Sequence, residues 1–295
     1  MIPEAQLDIW AKPGAGVGSR DTYATIKRAL EALDAPYAGK NFSVFLQGSY
    51  GNDTNVYSES DVDVVIVLHE VYYQDLEYLP EADTSKLNAA WVAATYSYND
   101  FKRDVTAWLK AKFGHDVDPG DKAIFIPAAG NRRNADVIVA AEFRRYHRFQ
   151  SIVDQQYDEG ICFWNSSSVR ISNFPNQHSE NCTTKHQLTA SYFKPMVRIL
   201  KNMRNRMISE GKIERGIAPS YFLEGLLYNV PTNQFGGNYG DTFANCYNWI
   251  YAADRTPFLC ANERFYLLWE GSPVAWRAEK CSRFLDAAGD YWRNW

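Results

Sequence analysis

Apolar residues recur at positions 23, 26, 30 and 33, behind a capping Ser19, and this spacing predicts a helix over residues 19–34. Residues 42–46 read as a strand that runs into a polar Gly48-Ser49 loop. Residues 61–68 read as a second strand, apolar except for two acids. The stretch 84–113 suits one long helix or two, and 123–127 and 135–141 read as further strands separated by the polar turn 130–134. Beyond about residue 150 the pattern changes, and 190–210, 218–230, 241–253 and 276–294 carry helical periodicity. The chain therefore divides into a mixed α/β half, residues 1–150, and a mainly helical half, residues 151–295.

Composition narrows the partners. The chain has 295 residues, 46% of them hydrophobic, so a sizeable core is available. Its formal net charge is −4. A protein built to grip long nucleic acid carries a strongly basic balance, so small nucleotides fit better than polymers. The five cysteines are scattered without a Cys-x-x-Cys pair, which fits reduced thiols in a cytoplasmic protein. No secretory signal pattern opens the chain, and no apolar stretch approaches the ~18 residues of a membrane span. Neither an internal repeat nor a low-complexity segment occurs.

The two acids of the second strand carry the chemistry. Asp61 and Asp63 stand two apart and so share a face. Two carboxylates on one face of a buried strand are costly unless something positive sits between them. A divalent metal carrying a nucleotide is the natural partner. Two-metal nucleotidyl transfer needs a third carboxylate from a neighbouring strand, and Asp136, the lone acid in the apolar run 134–140, fits that role. Magnesium favours such carboxylates together with phosphate oxygens. Gly48-Ser49 suits a phosphate, because glycine lets the backbone approach and successive N–H groups form a concave donor site.

In residues 194–206, Lys194, Arg198 and Lys201 fall on one side of a helical wheel, with Met196, Ile199, Leu200 and Met203 opposite. The ordinary reading is a solvated cationic face; the functional one is a helix bordering a nucleotide cleft. Two patterns are set aside. His178, Cys182 and His186 are spaced by four, but their segment reads as a polar loop without a fourth zinc ligand. Gly14, Gly16 and Gly18 imitate a dinucleotide fingerprint without a preceding strand.

Gly48-Ser49-Tyr50, Thr54-Asn55, Ser60-Asp61-Val62-Asp63 and Ala135-Asp136-Val137 resemble the cGAS/DncV-like nucleotidyltransferases, the bacterial relatives of cyclic GMP-AMP synthase. Residues 173–178 (Asn-Phe-Pro-Asn-Gln-His), Glu180-Asn181, Lys185, 198–202, 218–224 and 227–231 resemble segments of the clade E (CdnE type) enzymes, so the resemblance covers nearly the whole chain. It implies an α+β fold: a polymerase-β-like nucleotidyltransferase core, a mixed sheet with flanking helices, plus a C-terminal helical lobe, with the active site in the cleft between them. It implies catalysis by Asp61, Asp63 and Asp136 around two Mg²⁺ ions, with Mn²⁺ as a substitute. Gln47, Gly48, Ser49, Lys201 and Ser220 would contact the nucleotide, and Tyr221 would stack on a base.

Asn173 would face the acceptor-side base and favour uracil, since an amide offers both a donor and an acceptor; purine-using relatives often show serine there. The substrates implied are UTP and ATP, or UTP alone. The product would be cyclic UMP-AMP or cyclic di-UMP, a second messenger read by an effector protein in anti-phage signalling. The alternatives are a linear oligonucleotide synthase or nucleotidyl-adding enzyme, and a catalytically silent nucleotide sensor. Two departures stand out. The DNA-associated zinc insertion of the animal enzyme is missing, and Cys182 stands where relatives often carry glycine.

Overall fold

Helix and strand alternate through the first half of the chain, and helices dominate the end. The computed structural model describes residues 1–14, 17–57, 61–271 and 275–295; Gly16 of the glycine run and Ser60 of the Ser60-Asp61 motif lie outside the described residues. In chain order the elements are α1 (Glu4–Ala11), α2 (Val17–Leu30), β1 (Phe42–Leu46), α3 (Gly48–Gly51), β2 (Val62–Asp75), α4 (Glu81–Ala89), α5 (Tyr98–Phe113), β3 (Asp118–Pro119), β4 (Ile124–Ile126), β5 (Ala135–Ser151), β6 (Asp154–Trp164), β7 (Arg170–Asn173), α6 (Pro175–Leu188), α7 (Phe193–Ser209), α8 (Ser220–Tyr228), α9 (Tyr239–Ala252) and α10 (Ala278–Arg293). Among the described residues no helix is long and apolar enough to cross a membrane.

The chain resolves into two compact units, Val17–Gln47 with Asp61–Pro175, and Met1–Gly16 with Gly48–Ser60 and Asn176–Trp295. This differs from the expected division at residues 1–150 and 151–295. The sheet continues past residue 150 through β6 and β7, while α1 and the segment after β1 belong with the later helices.

In the sheet unit, β2 lies parallel to β5 and antiparallel to β1. β4 takes the other edge of β5 at its start, and β6 takes that edge further along, with β7 beyond it. Val62 and the run from Val64 to Leu68 are buried, as are Ala135, Val137, Val139, Ala140 and Ala141. Strands covered on both faces read as continuous apolar runs, which is why an acid within them is conspicuous. Both strands run further than their apolar signal, to Asp75 and Ser151. The stretch 84–113 is two helices. Ser97 starts the second with a capping box, its side chain accepting from the Asp100 amide while Asp100 accepts from the Ser97 amide.

In the helical unit, α7 is the axis of the core. Met196, Ile199, Leu200 and Met203 pack with Leu223, Leu226 and Leu227 of α8, Phe243 of α9 and Phe284 of α10. The ordinary reading of this face as solvated does not hold: Lys194, Arg198 and Lys201 are all buried, as is Arg204. Backbone carbonyls receive three of them. Arg198 donates to Ala11 O and Asp53 O, Lys201 to Thr54 O and Arg204 to Ala218 O. Residues 175–188 are likewise a helix rather than the expected polar loop. Pro175 suits its first position, and His178 and Cys182, one turn apart, are its buried side chains.

Candidate active site

The sheet register brings two of the three expected acids together. Asp63 of β2 and Asp136 of β5 are direct partners across the parallel pair, so their side chains leave the same face. Asp61 immediately precedes β2 and is exposed, while Asp63 and Asp136 are half-buried. Burial raises the pKa of Asp136, and the charge of Asp61 raises it further, which places those two carboxylates within each other's field. An all-oxygen set gathered where like charges oppose one another suits magnesium. Gln47 closes β1 next to this face: its amide donates to Asp63 O at 3.0 Å, and its Oε1 is buried without a hydrogen-bond partner among the described residues.

The expected polar loop after Gln47 is a single helical turn, α3. Gly48 opens it at φ +70°, a conformation glycine adopts without strain. The Asn52 amide returns to Gly48 O at 3.0 Å and the Thr54 amide to Ser49 O at 2.8 Å. Within the helical unit Arg198 and Lys201 hold the segment that follows this turn, through the carbonyls of Asp53 and Thr54. Lys201, expected on a triphosphate, is fully buried, with its ammonium 3.0 Å from Thr54 O. Ser220 begins α8, and its Oγ accepts from Arg204 Nη2 at 3.2 Å.

Two further expected site residues are Tyr221 and Asn173. Tyr221 is half-buried; one face of its ring lies on His178, with centroids 4.9 Å apart and planes at 23°. Its hydroxyl accepts from Asn262 Nδ2 at 3.0 Å, and burial raises its pKa well above the usual value, so it stays protonated. Asn173 ends β7, with its Oδ1 accepting from the Phe174 amide at 2.9 Å. That bond settles which end of the amide carries the oxygen.

Sequence reading missed Glu224, Arg204, Asn52 and Asn262. Glu224 is 3% exposed and accepts from Asn52, Thr54 and His178. A single acid inside the apolar run 222–227 was the available signal. The soft-ligand pattern also resolves differently from its spacing. Among the described residues, the ligand atoms of His178, Cys182 and Glu224, rather than those of His186 or of the three aspartates, fall within 4.8 Å of one another. His178 Nε2 and Glu224 Oε2 stand 2.6 Å apart. Two ligands of one tetrahedral zinc stand about 3.3 Å apart, so this is a direct hydrogen bond and no cage for an ion. Gly14 has a packing role instead of a cofactor role: a Cβ there would meet the Val56 backbone at 2.7 Å.

Residues 180–293 match the family model of the cGAS/DncV-like nucleotidyltransferase C-terminal helical domain. The chain is 38% identical over 296 residues to the cyclic UMP-AMP synthase of Rhodothermus marinus, covering 100% of this chain and 99% of that one. It is 36% identical over 273 residues to the cyclic dipurine nucleotide synthase of Elizabethkingia meningoseptica, covering 92% of each. The solved structure of Rhodothermus marinus CdnE c-UMP-AMP synthase with Apcpp and Upnpp superimposes with a TM-score of 0.89 at 37% identity, covering 100% of this chain and 98% of that one.

Proposed function

Because the chain belongs to the cGAS/DncV-like nucleotidyltransferases of CdnE type, we infer that it joins nucleoside triphosphates into a cyclic dinucleotide containing uridine, from UTP and ATP or from UTP alone. The observation that carries the reading is the in-register pairing of Asp63 with Asp136, with the Asp61 charge felt at Asp136. These three carboxylates would hold two magnesium ions, with manganese as a substitute. When bound, such ions neutralise the leaving pyrophosphate and acidify the acceptor 3′-hydroxyl.

The chain's own residues bind and orient. Gln47, Gly48, Ser49 and Ser220 take the nucleotide, and the buried cations of α7, Lys201 among them, give the turn after Gly48 a positive underside. Tyr221 would stack on a base. The acceptor 3′-oxygen bonds to the donor α-phosphorus in line as the bond to pyrophosphate breaks. A second transfer from the other 3′-end closes the ring. Positioning and charge compensation supply most of the acceleration.

Overall similarity leaves the base open, since a cyclic dipurine synthase is 36% identical. Asn173 supports uracil. Its Nδ2 is a donor that suits the O4 acceptor, and its Oδ1 keeps one lone pair for N3–H. We extend the reading to a second messenger read by an effector protein in anti-phage defence. The test is incubation with Mg²⁺ and each pair of labelled nucleoside triphosphates, followed by phosphatase and mass spectrometry. A phosphatase-resistant product containing uridine is expected. A phosphatase-sensitive product points to linear transfer, and a product without uridine removes the role given to Asn173.

A further inference from the structure

Glu224 is a hub beneath the nucleotide-facing residues of the helical unit. It sits on α8 three residues after Tyr221. Its Oε2 accepts from His178 Nε2 at 2.6 Å and Asn52 Nδ2 at 3.2 Å, and its Oε1 accepts from Thr54 Oγ1 at 2.5 Å. Burial pushes its pKa up, but the His178 bond, the nearby Lys201 charge and the Thr54 bond together bring it below the usual value, so the group is a carboxylate. A buried anion with three donors is held tightly, and removing any donor exposes its desolvation cost.

The hub reaches two places. Through Thr54 and Asn52 it holds the end of the turn that begins at Gly48, and the Thr54 amide in turn binds Ser49 O. Through His178 it holds the imidazole against which Tyr221 lies. His178 Nδ1 is buried without a hydrogen-bond partner among the described residues, so the bond to Glu224 is what orients the ring. Resting on the nucleotidyl-transfer reading above, we propose that Glu224 and His178 are positioning residues of the nucleotide site, fixing the Tyr221 platform and the Gly48–Thr54 turn relative to each other so that base and triphosphate meet a preformed seat. Preformed donors and surfaces spare the ordering cost that binding otherwise carries.

The test uses the full chain. Thr54→Val removes the hydroxyl and keeps the shape, Thr54→Ser keeps the hydroxyl, and His178→Gln keeps a donor toward Glu224 but removes the ring behind Tyr221. For each, calorimetry measures binding of a nonhydrolysable ATP analogue and a nonhydrolysable UTP analogue, and kinetics measure KM and kcat for product formation. Thr54→Val and His178→Gln are expected to raise Kd and KM about tenfold, with kcat changed less than about threefold, and Thr54→Ser to restore KM.

Unchanged Kd and KM in both variants overturn the proposal, whatever happens to Tm. Hydrogen exchange on the wild-type protein covers a variant that does not fold: analogue binding is expected to protect the amides of Asn52, Thr54 and the first turn of α8 together, and protection of neither segment overturns the proposal. A wild-type chain that binds the analogues yet forms no product sinks the transfer reading alone, because the binding arm still decides this one.

Discussion

Asn173 shares its side-chain oxygen with the next amide and has an amide donor besides, the pair of functions that the proposed uracil preference calls on. Replacing it with serine shortens that reach and removes the second function. Asn173→Ser is expected to lower the preference for UTP over ATP as the acceptor about tenfold, read as the ratio of products when both nucleotides compete; an unchanged ratio removes Asn173 from base selection. A second residue governs pH behaviour. His186 is held below its usual pKa of 6.5 by burial and then by the charges of Lys194 and Arg198, which outweigh the opposing Asp53. The Lys194 amide points at its Nδ1 at 3.4 Å, an acceptor that protonation would remove. The unfolded chain therefore binds the proton first, and folded stability falls as pH drops below about 6.5 until the folded ring protonates as well. His186→Gln is expected to flatten that part of a Tm-against-pH curve, and an identical slope in the variant would contradict the assignment.

At the scale of elements, β6 places Asn173 by a close approach. A Cβ on Gly160 would meet Asn173 O at 2.5 Å and the Phe174 ring at 2.8 Å, contacts too short to survive. Gly160→Ala is expected to cost about 1–3 kcal/mol of stability by denaturant titration and to raise the KM for UTP, since the backbone that must move carries Asn173, the residue proposed to select the base. A neutral substitution would show that β7 can shift freely.

β6 and α6 escaped sequence reading for the same kind of reason. The first half of β6, Asp154-Gln155-Gln156-Tyr157, alternates exposed and half-buried positions, but the only apolar residue on its inward side is Tyr157, too little apolar alternation to mark a strand. α6 buries only His178 and Cys182, so it has no hydrophobic stripe. β2 and β5 were legible because they are covered on both faces. α7 was legible as a helix, but the burial of its cations was not: Arg198 and Lys201 look solvated until the carbonyls that receive them, from Ala11, Asp53 and Thr54, are in place.

For the whole molecule, the division into units follows three-dimensional proximity over chain order. α1 and residues 48–57 join helices that lie more than a hundred residues later, a return that no local pattern announces. The aspartates were legible because a carboxylate in a buried strand is rare and needs an explanation. Glu224 was not, because its meaning lies in partners 172 and 46 positions away.

The account as a whole requires that the aspartates at the start of β2 and β5 do the chemistry. Pyrophosphate release from ATP plus UTP with Mg²⁺, compared between the wild-type chain and Asp63→Asn, tests this most directly. The rate is expected to fall by about a thousandfold or more while circular dichroism and Tm show the fold retained; a variant that releases pyrophosphate within about threefold of the wild-type rate would contradict the account.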